Sequence, residues 1–150
     1  MQVKTIRNAL TIDVEDYFQV SAFAPYIPRD HWEKRDCRVE RNVERILQML
    51  DDHGTKATFF TLGWIAERHP QVVRRIVEQG HELASHGYGH ERASDLTESA
   101  FFSDIDSAKK ILEDRRLGEA ALRRLLPIAR GNSGQCRRVA AILLSLYNGR

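Results

Sequence analysis

Residues 56–90 read KATFFTLGWIAERHPQVVRRIVEQGHELASHGYGH. Lys56 to Leu62 is rich in β-branched and aromatic residues and is ended by Gly63, which predicts a strand. Pro70 suits the first position of a helix. Val72, Val73, Ile76 and Val77 then fall on one face, and Gly80 follows as a stop. Glu82 to Ser85 is a further short strand, ending at His86. Towards the N-terminus, residues 9–14 (ALTIDV) form an apolar, β-branched run that suits a buried strand and delivers Asp13, Glu15 and Asp16 to its C-terminal end. Residues 17–37 are aromatic and Pro-containing and read as a loop. Val39, Val43, Ile46, Leu47 and Leu50 recur at helical spacing, with Gly54 behind them as a C-cap. Towards the C-terminus, Thr97 reads as the N-cap of a helix carrying Phe101, Ile105, Ala108, Ile111 and Leu112.

The order is strand, helix, strand, helix, strand, helix. It predicts an α/β fold with a parallel sheet or barrel. In such folds chemistry gathers at the C-terminal ends of the strands. An acidic cluster and a histidine cluster both fall there. His86 and His90 are four apart with Gly87 and Gly89 between them, so a loop or single turn can bring both imidazoles onto one ion. Two histidines and a carboxylate, with a position left for water, make a catalytic rather than a structural zinc arrangement. Asp13, Glu15 and Asp16 crowd three carboxylates at a strand mouth. Their repulsion is relieved by a cation or by one of them capping the next turn. His31, His53, His69 and His81 read as ordinary structural histidines, and Phe59 with Phe60 as core. Trp32, Tyr17 and Tyr88 lie on loops near the site and are candidates for stacking on a sugar ring, with local packing the competing role.

Bulk properties narrow the class. The 150 residues are 42% hydrophobic and 29% charged, as in ordinary globular proteins. No apolar run approaches the ~20 residues of a membrane span. Met1 to Asn8 lacks the apolar segment and small-residue cleavage site of a signal peptide, so the expected compartment is the cytoplasm. Cys37 and Cys136 have no CxxC spacing and are expected as buried or free thiols. The net charge of +2 hides an asymmetry, because residues 115–150 carry eight arginines, no lysine and one acid, Glu119. That segment is +7 and leaves −5 for the remainder. It has few aromatics, and no nucleic-acid role is expected of it.

TIDVEDYF (11–18), KATFFTLGWIAERHP (56–70) and GHELASHGYGH (80–90) resemble the first two motifs, and the segment between them, of the polysaccharide deacetylases of carbohydrate esterase family 4. The similarity runs over about residues 8–114. DVEDYFQVSAF (13–23) ties it to the branch associated with exosortase and exopolysaccharide loci. The resemblance implies the N-terminal part of a deformed (β/α) barrel of the NodB-homology type. It implies Asp13 as general base, His86 and His90 as metal ligands, and Glu15 or Asp16 as a third ligand, with a divalent metal, zinc foremost, as cofactor. The implied reaction hydrolyses N-acetyl groups on an amino-sugar polysaccharide, releasing acetate. Relatives of this fold also act as amidases on small substrates, and a metal-binding but inactive fragment is a further alternative.

The family's third motif, with its arginine and proline, and its late histidine have no match after Asp114. The composition breaks at the same place. The expectation is therefore a partial deacetylase domain over 1–114 and an Arg/Leu/Ala-rich, non-native helical tail over 115–150. A truncated or frameshifted reading accounts for both, and implies a poorly stable chain of impaired activity.

Overall fold

The computed structural model describes residues 8–129. Three parallel strands make one sheet in the order β1 (Thr11–Val14), β2 (Thr58–Thr61), β3 (Glu82–Ser85). The helix α1 (Val39–Asp52) connects β1 to β2. Two short helices, α2 (Gly63–Arg68) and α3 (Pro70–Glu78), connect β2 to β3, and α4 (Glu98–Ala129) follows β3. The strands and the helices α1, α3 and α4 stand where the sequence places them. The helix α2 was not anticipated, because its six residues are too few to show a period. Residues 17–37, read as a loop, hold three short 3-10 segments, Tyr17–Gln19, Ser21–Phe23 and Arg29–Lys34. The expected division at 114/115 falls inside α4, and the part of the expected helical tail beyond residue 129 lies outside the described residues.

Both crossover helices end by the same device. Gly54 and Gly80 adopt φ of +59° and +73°, the left-handed region that glycine enters without penalty. Behind α1, Thr55 N donates to Leu50 O and Gly54 N to Asp51 O; behind α3, His81 N donates to Ile76 O and Gly80 N to Val77 O. These are Schellman pairs, which satisfy the last carbonyls and turn the chain sharply. Each turn feeds directly into a strand, so the two glycines set where β2 and β3 begin.

The register aligns the strand ends in rows: Val14, Thr61 and Ser85 stand side by side, and Asp13, Phe60 and Ala84 one row earlier. Strand side chains alternate between faces. Ile12, Val14, Phe59, Thr61 and Leu83 point to the helix side, where Val14, Phe59 and Thr61 are fully buried. There α1 packs on α3, while α2 and α3 pack on α4. Phe18, Trp32 and Trp64 close one end of this core, with ring centroids 5.6–6.0 Å apart. Asp13 and Phe60 point to the opposite face. The expected Phe59–Phe60 core pair is thus split, with Phe59 buried and Phe60 only half so. Cys37 is a free, half-buried thiol whose pKa burial pushes up to about 11. No described helix is long and apolar enough to cross a membrane.

Candidate metal centre

Glu15 and His86 are the residues that directly follow the row Val14, Thr61, Ser85, so the parallel register brings them to the same height. Between them β2 ends at Thr61 and the chain turns into α2 at Gly63. Glu15, His86 and His90 come together at this end of the sheet. Each offers one ligand atom, and the three atoms lie within 4.8 Å of one another. The His86 and His90 rings stand 4.9 Å apart at 42°. His90 Nε2 is 3.2 Å from Glu15 Oε2.

These donors fit a cation. Glu15 Oε2 and His86 Nε2 are buried without a hydrogen-bond partner. Leaving a buried carboxylate oxygen and an imidazole nitrogen unpaired costs on the order of 1–3 kcal/mol each. His90 Nδ1 lies 2.7 Å from Gln19 O, a carbonyl that can only accept. Nδ1 therefore carries the proton, and Nε2 presents its lone pair towards Glu15. Three protein ligands of this kind leave coordination positions for water or substrate. Glu15, His86 and His90 are the residues that would hold a divalent metal.

Asp16 does not join them. It is 5% exposed; Oδ1 accepts from Tyr17 N at 2.8 Å, and Oδ2 accepts from Arg38 N. Its own amide donates to Gln19 Oε1 at 2.8 Å, which completes a capping box on the Tyr17–Gln19 turn. Both Asp16 oxygens accept backbone amides and tie the β1 exit to the start of α1, so the carboxylate that meets the two histidines is Glu15. Asp13 stands on the open face of β1, beside His86. Its side chain is 56% exposed, and Oδ2 is 4.0 Å from His86 Nε2.

The aromatic candidates for sugar stacking all make local packing contacts. Tyr17 sets its ring edge-on to Phe18 at 5.4 Å and carries the Arg38 guanidinium 4.7 Å above it. Tyr88 lies so close over Gly63 that a Cβ there would stand 2.8 Å from its Cδ2, and its hydroxyl donates to Glu67 at 2.9 Å. Trp32 is 6% exposed in the core. Tyr17 and Tyr88 stay partly exposed, and Trp32 lines the cavity beside His90. His81 is structural as expected: buried, with Nδ1 accepting from Ala57 N at 3.3 Å. Burial, then the nearby Lys56 charge, lowers its pKa. The sequence reading missed Gln19, although Asp16 followed three residues later by Gln19 is a capping-box signature. Beside His90 a cavity of about 480 Å³ opens between the 18–32 segment and residues 89–95, with Phe18, Ile27 and Trp32 on its apolar side and Arg29 and Arg92 among its polar ones.

A parallel sheet that gathers two imidazoles and a carboxylate at its C-terminal edge defines an α/β protein with a candidate catalytic metal centre. The chain belongs to the polysaccharide deacetylase family, whose model matches residues 30–132. A second model, a family of unknown function (DUF7673), matches residues 119–150. The first match takes in His86 and His90 and begins after Asp13 and Glu15. A peptidoglycan-N-acetylglucosamine deacetylase of Bacillus cereus is 38% identical over 68 residues, 45% of this chain and 25% of the relative. Among solved structures, the Bc1960 peptidoglycan N-acetylglucosamine deacetylase superposes with a TM-score of 0.54 at 29% identity, over 71% of this chain and 40% of that one. A family 4 pseudoenzyme from Bacillus anthracis gives 0.54 at 21% identity over 71% of this chain and 30% of that one, which speaks to the fold alone. The chain thus spans well under half the length of these relatives.

Proposed function

We propose that this chain carries the metal-binding part of a zinc-dependent N-deacetylase acting on an acetylated amino-sugar polysaccharide, in exopolysaccharide synthesis or modification. The observation that carries the reading is the convergence of Glu15, His86 and His90 within 4.8 Å, with Glu15 Oε2 and His86 Nε2 buried and without a hydrogen bond. Two imidazoles with one carboxylate suit zinc among the available divalent metals. The resemblance of DVEDYFQVSAF to the exopolysaccharide-associated branch supports the substrate class.

A cation held there supplies Lewis acidity, polarising an amide carbonyl and lowering the pKa of water. The chain's own residues do the rest. Gln19 fixes the His90 tautomer through its carbonyl. Asp13, exposed beside His86, is placed to take a proton from the attacking water. The cavity next to His90 is open to a sugar unit, with Arg29 and Arg92 as hydrogen-bond donors to its hydroxyl and carbonyl oxygens. No histidine follows His90 in the sequence, so the late histidine that the resemblance implies as general acid has no counterpart in residues 91–150. Residues 1–150 by themselves should therefore bind metal but turn over slowly.

Metal content and turnover of acetylated hexosamine oligomers test this together. Wild type should retain about one equivalent of zinc. His86→Ala and His90→Ala should lose it, and Asp13→Asn should keep the metal while lowering any deacetylation by about 10²–10⁴-fold. Stoichiometric zinc in His86→Ala with His90→Ala combined would refute the assignment.

A further inference from the structure

Four backbone groups between His86 and His90 are taken in two pairs. Gly87 O and Tyr88 O accept from Gly63 N and Trp64 N, at 2.8 and 3.1 Å. Tyr88 N and Gly89 N donate to one side chain, Asp104 of α4, at 2.8 Å to Oδ2 and 3.0 Å to Oδ1. Two consecutive amides reach a single carboxylate only where the backbone curls into a nest. Gly87, at φ +77°, makes that curl possible, and a Cβ on it would stand 2.7 Å from Asp104 Oδ2. His90 follows at φ +57°, a conformation that non-glycine residues seldom adopt. The loop therefore keeps a shape its local preferences oppose, and α2 and α4 grip it from both sides. Ala108, one turn after Asp104, packs under Gly63, so the two grips are themselves in contact.

We propose that Asp104 is a positioning residue for the metal centre: its carboxylate holds the loop in the curl that aims both imidazoles at Glu15. The proposal rests on the reading of Glu15, His86 and His90 as ligands. Asp104 touches none of these side chains and acts only through the backbone between the histidines. Asn at 104 retains one acceptor oxygen and sets an amide group against the second N–H, so one of the two bonds is lost. Ala loses both.

The test is a Co²⁺ titration of residues 1–150 followed by the visible absorption of the bound ion. Asp104→Asn should weaken Co²⁺ binding by about 10-fold and Asp104→Ala by about 100-fold, the range seen when outer partners of metal ligands are removed. The band shape should change in both. Asp106→Ala, on the same helix where Asp106 pairs with Lys110, should bind as wild type does. A merely structural role for Asp104 would lower the melting temperature and leave affinity and spectrum of the folded protein alone. Wild-type affinity and spectrum in Asp104→Asn would overturn the positioning role while leaving the ligand set standing. No Co²⁺ binding by wild type would overturn the ligand set, and this role with it. If Asp104→Ala does not fold, Asp104→Asn decides the matter, together with faster amide exchange at Tyr88 and Gly89 in the metal-free protein; unchanged protection there counts against the proposal.

Discussion

At the residue scale, two adjacent carboxylates have opposite duties. Glu15 leaves β1 towards the histidines with a buried oxygen that has no hydrogen bond, whereas Asp16 turns back and accepts two backbone amides. Substitution separates the two. Glu15→Gln removes the charge of the proposed ligand and should abolish stoichiometric metal binding, with little change in the melting temperature of the metal-free protein. Asp16→Asn weakens a cap and should cost about 1 kcal/mol of stability while the metal stays bound. Metal analysis and thermal unfolding of both variants check this, and the reverse pattern would make Asp16 the ligand. The sequence left this choice open for a physical reason. Both residues are carboxylates at a strand mouth, and only the direction in which the chain leaves the strand tells them apart.

At the element scale, the strands and main helices were legible because each carries its own punctuation. Pro70 opens α3 at its first position, and Thr97 caps α4 by accepting from Ala100 N at 3.2 Å. Gly54 and Gly80 close α1 and α3 with left-handed turns. Nothing lies within 4 Å of a Cβ placed on Gly54, so Gly54→Ala isolates the backbone effect. It should destabilise the protein by about 1 kcal/mol through the left-handed φ alone, read as a lower urea midpoint with an unchanged slope. The helix α2 was illegible, since it is shorter than two turns and has no side-chain cap. The role of Asp104 was equally hidden. Its partners are backbone amides 15 and 16 positions earlier in the chain, and backbone amides leave no trace in side-chain type.

At the scale of the whole molecule, the helix side of the sheet is well covered and the other side is not. Thr11, Asp13 and Glu82 are exposed on that open side, and neither β1 nor β3 has an outer neighbour among the described residues. Leu10, Phe101, Phe102 and Ile105 add exposed apolar surface, Phe102 at 66%. Open strand edges and apolar patches of this kind drive association. Residues 1–150 should therefore show concentration-dependent self-association in sedimentation velocity at micromolar levels, reduced by Phe102→Glu. A single monomeric species across the range would count against it. By itself the sequence determined the alternating strand and helix order, the stops at Gly54 and Gly80, and the residue types able to bind a metal, because propensity, period and turn chemistry are local. Only the tertiary structure decided which acid meets His86 and His90, what Tyr17, Tyr88 and Trp32 pack against, and that α4 reaches back to the histidine loop. Those outcomes depend on strand register and helix packing, which bring together residues that no local pattern connects.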